Sequence, residues 1–481
     1  MNKTGPIRTR ILSLLLIVVM FFTSLSACES AGIPSSTGGR TSAGKPTQTV
    51  DGEEALETEP DYSWFTFPEE TSKLTVYSNE DNLKSVLDPA IRIFREKYPE
   101  TEVDYRIYGQ DEYNERIRAE LPAGKGPDLL VLDEGTLPDL YKTMTTGIFE
   151  DLNPYFAEDG EIDLAEFLMP VMDGGVMNGK RYLTPLCYDT PLLVTTRSIL
   201  DEIGMAESEI QTCDGFCEAA RRFRELHPEG DLYIDTCQIM PHDANISIMY
   251  QNFGFNFIDY ERNEAAIDEA LFRQCMDLVK LYYDPDYNLN DFSKLELENR
   301  TYAIGGGLYL KTCLFDNVSL GLLGLDQKKT NLEGKGEEMI LLAQTNQRDG
   351  ITAELILSAA IPKEADNRLN AWRLLKILLS DEIQSGRDPD RFNLSYFWVG
   401  YPVRKASLAT FLAHEDSLIS FSDKDVGKFI DIVQSPTEAL MLPRVYRKFL
   451  SEEILPYVRG ERSWEDAYKR FLNTLELYKD E

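Results

Sequence analysis

The stretch KLTVYSNED (Lys73–Asp81), together with the residues after it, decides the predicted fold. It is a short β-branched and apolar run that ends in polar residues, which is typical of a strand. The apolar residues that follow at helical spacing are Leu83, Leu87, Ile91 and Phe94. Tyr98-Pro99 ends this pattern, because proline cannot continue a helix. The segment therefore predicts one strand followed by one helix.

The same alternation continues downstream. VDYRIYG (Val103–Gly109) alternates apolar and polar residues, and a helical pattern follows it as far as Pro122. PDLLVLDEG (Pro127–Gly135) contains the continuous apolar run 129–132, which is typical of a strand covered on both faces. Strands that alternate with helices predict a doubly wound α/β lobe.

Polar residues follow the predicted strands, at the edge where α/β sheets bind ligands. They are Ser78, Asn79, Glu80, Asp81, Tyr108, Asp133 and Glu134. This set offers carboxylates, amides and aromatic faces rather than cationic groups, so it disfavours phosphates and other anionic ligands. Asn79 and Asp81 have a second interpretation as caps of the helix that begins near Leu83. Asp133 and Glu134, before Gly135, are better placed to contact a ligand.

The N-terminal thirty residues are typical of an export signal. In ILSLLLIVVMFFTSLSACES (Ile11–Ser30) the apolar run is shorter than the roughly 17–25 residues of a membrane-spanning helix. Leu25-Ser26-Ala27-Cys28 resembles the lipobox of bacterial lipoproteins, in which the cysteine becomes lipid-modified. We therefore expect residues 1–27 to be a signal peptide and Cys28 to anchor the protein on the extracytoplasmic side of the cell membrane. An ordinary secretory signal is the alternative.

The composition predicts a soluble globular body after this signal. A chain of 481 residues is too long for one hydrophobic core, so we expect two lobes. The net charge of -33 argues against nucleic acid as a partner. The other six cysteines and the three histidines lack the spacing of a zinc site or a disulfide framework, so we expect no metal and no cofactor. Residues 28–72 are rich in Ser, Thr, Gly and Pro and then acidic, which predicts a flexible tether.

Five segments resemble motifs of extracellular solute-binding protein family 1, the capture lipoproteins of ABC-type carbohydrate importers. NGKRYLTPLCYDTPLLVTTRSILDEIGM (Asn178–Met205) resembles a Tyr-x-x-Pro strand, a second strand and a helix of that family. TCDGFCEAARRFREL (Thr212–Leu226) resembles its next helix, and RTYAIGGGLYL (Arg300–Leu310) resembles a segment that lines the cleft. RLNAWRLLKILLSDEIQSG (Arg368–Gly386) and YFWVGYPVRKASL (Tyr396–Leu408) resemble an Ala-Trp helix and the Gly-x-Pro-Val segment after it.

The resemblance implies a two-lobed periplasmic-binding-protein-like fold, in which each lobe is a doubly wound sheet flanked by helices. The first lobe would comprise residues 73–188 and a return segment of about 352–398. The second would comprise residues 189–351 and a C-terminal segment of about 399–481. Hinge strands would join the lobes, and the expected crossings are near Tyr188–Thr190, Gly350–Leu355 and Trp398–Tyr401.

The resemblance also implies that the lobes enclose a solute and deliver it to the permease subunits of an ABC transporter. The predicted ligand-binding residues are Asn79, Asp81, Asp133, Glu134, Asp189, Tyr309, Glu354, Tyr396 and Trp398. An oligosaccharide is the leading ligand, because sugars are held by planar hydrogen-bonding groups and aromatic faces. A polyamine or another cationic solute is the first alternative, since the rim is acidic. A surface lipoprotein that has kept the fold and lost transport is a further one.

An enzymatic function is the remaining alternative. Asp133 and Glu134, or Asp189, would then act as the carboxylate pair of a glycosidase. Adjacent residues at a strand end point in opposite directions, however, and do not flank one glycosidic bond. The sequence contains no nucleophile elbow, Walker loop or His-Glu-x-x-His motif. We therefore predict a binding protein without catalytic residues.

Helical spacing assigns two tryptophans to the core. Trp372 shares a helix face with Leu375 and Leu379, and Trp464 lies at the start of a C-terminal helix that follows Ser463. Neither tryptophan is therefore expected to contact a ligand.

Overall fold

The computed structural model describes ten segments of the chain. They are residues 61–80, 82–190, 192–228, 231–234, 253–283, 306–309, 311–317, 321–386, 400–415 and 423–481. The predicted site residues Asp81, Tyr396 and Trp398 lie outside the described residues, as do Cys28 and the signal peptide. No helix in the described segments combines the length and the apolar character that crossing a membrane requires.

The strands belong to two larger sheets and three two-stranded pairings. In chain order they are β1 (Lys73–Asn79), β2 (Glu102–Tyr108), β3 (Leu130–Leu132), β4 (Val176–Met177), β5 (Lys180–Arg181), β6 (Thr184–Asp189), β7 (Leu192–Thr196), β8 (Asp231–Ile234), β9 (Ile258–Asp259), β10 (Glu264–Ala265), β11 (Cys313–Asn317), β12 (Met339–Ala343), β13 (Thr352–Ala360), β14 (Tyr401–Pro402) and β15 (Glu438–Leu440).

The α-helices flank these sheets. In chain order they are α1 (Asn82–Lys97), α2 (Gln110–Glu120), α3 (Leu140–Thr145), α4 (Asn153–Asp159), α5 (Met169–Met172), α6 (Arg197–Ile203), α7 (Glu207–Ile210), α8 (Cys213–Leu226), α9 (Glu269–Leu281), α10 (Gly306–Tyr309), α11 (Gly321–Glu333), α12 (Arg368–Leu378), α13 (Asp381–Gln384), α14 (Lys405–Glu415), α15 (Asp423–Val433), α16 (Arg444–Phe449), α17 (Leu455–Val458) and α18 (Trp464–Asp480). Residues Leu450–Ile454 form one π-helical turn between α16 and α17.

The first lobe begins with the unit that the opening stretch predicts. β1 and β2 pair in parallel, and α1 connects them. The apolar residues at helical spacing on α1 are all buried against the sheet, which confirms the predicted strand and helix. A bridge between Val76 and Leu129 then joins β1 to the segment that leads into β3.

The middle of the first lobe is built around β13, which returns from late in the chain. β13 pairs antiparallel with both β3 and β6, and in parallel with β15. β14 adds to the other edge of β6. Because β3 and β6 therefore run in the same direction, their carboxyl ends lie at one edge of the sheet. The amino end of β13 lies at that same edge.

The second lobe contains a four-stranded sheet in the order β12-β7-β11-β8. The chain enters it between β6 and β7 and leaves it between β12 and β13. The chain thus passes between the sheets at two places, between Asp189 and Leu192 and between Ala343 and Thr352. Trp398 and Val399 of the third predicted crossing lie outside the described residues, and its end, Tyr401, pairs with Tyr188 in the first sheet.

Aromatic residues join the C-terminal helices to the second lobe. Phe257 contacts Tyr446 of α16 and Phe471 of α18, at centroid separations of 5.2 Å and 5.0 Å. Trp464 is buried and packs on Phe272 of α9. The C-terminal segment therefore belongs to the same packed core as residues 253–281. The prediction that Trp464 lies in the core is therefore confirmed.

The end of the predicted tether packs on the first lobe. Phe65 lies 4.7 Å from the ring of Tyr155, centroid to centroid, and Tyr155 in turn contacts the buried Trp372. The side chain of Asn367 donates hydrogen bonds to the backbone oxygens of Thr71 and Lys73, each at 2.9 Å. These contacts place residues 65–73 against the body of the protein.

Candidate functional site

The edge where β3 and β6 end and β13 begins collects most of the predicted ligand-binding residues that the structure describes. We call this edge the strand-end rim, and its members are Asn79, Gln110, Asp133, Glu134, Asp189, Thr352, Glu354 and Glu438. The rim adjoins both passages between the sheets. Groups placed here lie at the junction of the two lobes, where a hinge motion would alter their surroundings.

Asn79 and Asp133 meet through a glutamine. The amide of Asn79 donates to the Gln110 side chain, and the Gln110 amide lies 3.4 Å from Oδ2 of Asp133. Asn79 is fully buried, and its Oδ1 accepts the backbone N–H of Leu83 at 2.9 Å. Asn79 therefore makes the capping contact with α1 that its second interpretation predicts. Asn79 supports the rim from beneath, while Asp133 lies nearer its surface.

Asp133 and Glu134 point to different partners. Oδ1 of Asp133 accepts the backbone N–H of Gly135 at 2.9 Å and the Thr136 hydroxyl at 2.8 Å, which closes a turn. Arg118 fixes the other side of this turn by donating to the backbone oxygens of Gly135 and Thr136. The two neighbouring carboxylates therefore do not face one another, in agreement with the argument against a glycosidase pair.

Two arginines bind the carboxylate of Glu134. Arg444 and Arg447, one turn apart on α16, each place Nη2 at 3.0 Å from one of its oxygens. A Cβ atom on Gly135 would lie 2.9 Å from Cζ of Arg444, so glycine leaves space for that guanidinium. The expectation that the rim carries no cationic groups is therefore wrong. These cations come from a helix more than 300 residues away, so the strand-end pattern gave no sign of them.

Asp189 and Glu354 lie directly opposite one another on β6 and β13. Side chains of directly opposite residues in an antiparallel pair share one face of the sheet, with Cβ atoms about 4.5–5.5 Å apart. Burial raises the pKa of Asp189 to about 7. Burial also raises the pKa of Glu354 well above its usual value, and the charges of Glu134 and Asp189 raise it further, while Arg447 opposes them. At neutral pH this pair therefore holds protons that ordinary carboxylates have lost.

A second network fixes the passage between β12 and β13. Glu438, at the start of β15, accepts from the amide of Asn346 at 2.8 Å, from the Thr352 hydroxyl, and from Nε of Arg348 at 2.9 Å. Arg348 and Gln347 also donate to the backbone oxygen of Gly254 in the second lobe. One carboxylate thereby links the returning strand, the passage and the C-terminal segment.

Tyr309 lies elsewhere. It is on α10, ahead of β11, and the ammonium of Lys335 lies 5.2 Å from the centroid of its ring. Asn317, at the far end of β11, pairs with Leu193 beside the first passage between the sheets. Tyr309 is therefore at the end of β11 that is remote from the rim. The structure does not bring it together with Asp189 and Glu354.

The site residues that the sequence patterns did not single out are Gln110, Glu438, Arg348, Arg444 and Arg447. Three of them carried a readable signal. Gln110 opens a helix directly after a strand, and the arginines of α16 are spaced by three residues on one helix face. Glu438 and Arg348 carried none, because their role depends on a strand pairing between distant segments. Within the described segments, no group of His, Cys, Asp and Glu side chains is arranged to hold a metal ion.

This two-lobed arrangement of the chain has known counterparts. Residues 77–239 match the family model of bacterial extracellular solute-binding proteins. The match confirms the family resemblance that the sequence motifs predict, and the matched residues extend from β1 through β8. No curated protein sequence matches the chain.

Solved structures extend the similarity across both lobes. The sugar-binding protein MalE from Xanthomonas citri has a TM-score of 0.58 at 15% identity, over 85% of this chain and 97% of that one. An ABC substrate-binding protein from Listeria monocytogenes, in complex with cycloalternan, has a TM-score of 0.54 at 13% identity, over 85% and 99%. The cyclic α-maltosyl-1,6-maltose binding protein from Arthrobacter globiformis has a TM-score of 0.54 at 16% identity, over 85% and 98%. The predicted two-lobed fold is confirmed.

Proposed function

We propose that the protein is an extracytoplasmic solute-binding component of an ABC-type importer, and that it captures an oligosaccharide between its lobes. The observation that carries this proposal is the strand-end rim. Hydrogen-bonding groups from six separate segments converge on an edge that adjoins both passages between the lobes. Binding that involves both lobes favours the closed state, because a ligand shifts an equilibrium only by its difference in affinity for the two states.

The charges of the rim favour a neutral ligand over a polyamine. Arg444 and Arg447 offset the charge of Glu134, and the high pKa of Asp189 and Glu354 reduces the charge of that pair at neutral pH. What remains is a set of hydrogen-bond donors and acceptors with little net charge, which suits the hydroxyl groups of a sugar. The sugar ligands of the structurally similar proteins support the same choice.

Binding without catalysis is the second part of the proposal. The divergent contacts of Asp133 and Glu134 leave no carboxylate pair at this turn that faces a single glycosidic bond. Asp189 and Glu354 are close neighbours, but on adjacent strands they lie side by side and do not face one another across a gap. A bound sugar is expected to be recovered unchanged after incubation.

Attachment to the membrane through a lipid on Cys28 is the third part. Its support is the lipobox-like Leu25-Ser26-Ala27-Cys28 and the short apolar run before it. Two or more acyl chains give stable attachment where one gives only marginal binding. Cys28→Ala is expected to release the protein or leave it as an unprocessed precursor. Normal cleavage with undiminished membrane binding would contradict the lipid anchor.

A thermal-shift screen tests the ligand class. The purified protein is heated with mono- and oligosaccharides in one series and with putrescine and spermidine in another. A ligand at 100 times its dissociation constant adds about 2.7 kcal/mol of stability. We expect this gain from an oligosaccharide, at least tenfold weaker binding in Glu354→Ala, and unchanged binding in Glu115→Ala, which alters an exposed residue of α2. Stabilisation by the polyamines alone would favour the cationic alternative.

A further inference from the structure

The two passages between the lobes place one carboxyl group each at the same point of the first sheet. Asp189 is the last residue of β6 before the chain enters the second lobe, and Glu354 lies two residues into β13, just after the chain returns. They are register partners on neighbouring strands. Among the described residues, no arginine, lysine or histidine side chain forms a salt bridge with either carboxyl group. The cations of this edge bind Glu134 and Glu438 instead.

We propose that the Asp189–Glu354 pair is a proton-linked switch that sets the equilibrium between the packed and the opened arrangement of the lobes. Two carboxylates this close repel one another when both are ionised, so protons are retained while the packed lobes keep this partly exposed pair from full contact with water. A hinge motion that exposes the strand ends to water restores ordinary carboxyl behaviour and releases those protons. By linkage, low pH favours the packed arrangement and high pH favours the opened one.

Other groups near the pair do not account for such a response between pH 5 and pH 8. The neighbours on β6, Cys187 and Tyr188, are buried, and burial raises the pKa of both groups, so they stay neutral in this range. The positive charge of Arg447 on α16 acts on Glu354, and an arginine keeps this charge throughout the range. Of the remaining acidic neighbours, Glu134 is held by two arginines and Glu438 by Arg348.

The switch also predicts how stability depends on pH. A carboxyl group whose pKa is raised in the folded state stabilises the fold at low pH, and this contribution is lost as the pH rises from the unfolded pKa of about 4. For Asp189 the loss is complete only above about 7. Neutral amides imitate the protonated pair at every pH. The double variant Asp189→Asn, Glu354→Gln should therefore gain stability relative to the wild-type protein as the pH rises from 4 to 8.

Two measurements on the purified, ligand-free full chain test the proposal. Small-angle scattering should show a larger radius of gyration at pH 8 than at pH 5 for the wild-type protein, and less than half of that change for the double variant. The melting temperature of the double variant minus that of the wild type should rise by about 2–4 °C between pH 4 and pH 8. The matched control Glu115→Gln should follow the wild type in both.

The outcomes separate clearly. A wild-type radius that is the same at both pH values, or a pH response that survives intact in the double variant, overturns the switch. If the double variant does not fold, Asp189→Asn alone carries the test and should show a smaller response of the same sign. Because the protein is measured without a solute, failure of sugar binding and failure of the switch are distinguished.

Discussion

The turn after β3 and the paired ends of β6 and β13 carry the same kind of side chain in opposite electrostatic surroundings. Glu134 lies in the turn and binds two arginines, each at 3.0 Å. Glu354 lies on the neighbouring strand, beside its register partner Asp189, and has a raised pKa. Identical residue types at one sheet edge are thus fixed as an ion pair in one place and held protonated in the other.

The difference separates an ion-paired carboxylate from a pair of neighbouring carboxyl groups at the same rim. Glu134 forms an ion pair that connects the first lobe to α16. Tyr446 of α16 packs on Phe257 of the second lobe, so the Glu134 ion pair links the two lobes. Among the described residues, no cation forms a salt bridge with Asp189 or Glu354. We therefore expect substitutions in the turn to lower stability and substitutions in the strand pair to change pH dependence and binding.

Removing the ion-paired carboxylate should have the largest effect on stability. Glu134→Ala leaves Arg444 and Arg447 without their partner and is expected to cost about 1–2 kcal/mol, since both arginines are partly exposed. Denaturant unfolding at pH 7 measures the change, with Glu115→Ala as the exposed control. A loss in Glu134→Ala no greater than that of the control would show that the ion pairs do not link the lobes.

Removing the hydrogen bonds of the turn should have a smaller effect. Asp133→Ala deletes the acceptor for Gly135 and Thr136 and should cost about 1 kcal/mol, whereas Asp133→Asn keeps an oxygen in place and should cost less. The same unfolding measurement compares the two variants. Equal losses in both would mean that the charge of Asp133, rather than the turn, is what matters.

A change in salt concentration should have the smallest effect on the stability differences between these variants. Raising the ionic strength from about 0.05 M to about 1 M shortens the screening length to about 3 Å, and partly exposed ion pairs weaken. The stability difference between the wild type and Glu134→Ala should therefore shrink by a few tenths of a kcal/mol, about 0.3–0.5. The difference between the wild type and Glu354→Gln at pH 5 should stay constant, because the raised pKa values of the pair leave less charge there for salt to screen. A shrinkage of both differences by the same amount would contradict the contrast.

The spacing of apolar residues along the chain predicted individual strands, helices and core positions. The run at Lys73–Asn79 and the helical spacing after it gave β1 and α1, and the spacing around Trp372 placed that residue in the core, where only 1% of its surface is exposed. Asn79 and Asp133 were predicted as rim residues because strand ends meet at one edge of a parallel sheet. Their partner Gln110 was missed, although it follows β2 at that same edge.

The sequence by itself determined the alternation of strands and helices, the family resemblance and all the acidic residues of the rim except Glu438. Only the tertiary structure decided which of those carboxyl groups is ion-paired with arginine and which has a raised pKa. Periodicity and strand ends are properties of neighbouring residues, so they can be read along the chain. The charge state of Glu354 depends on Asp189 across a strand pairing and on Arg447 from a distant helix. Electrostatic interactions act through space, and the distances that govern them exist only once the chain has folded.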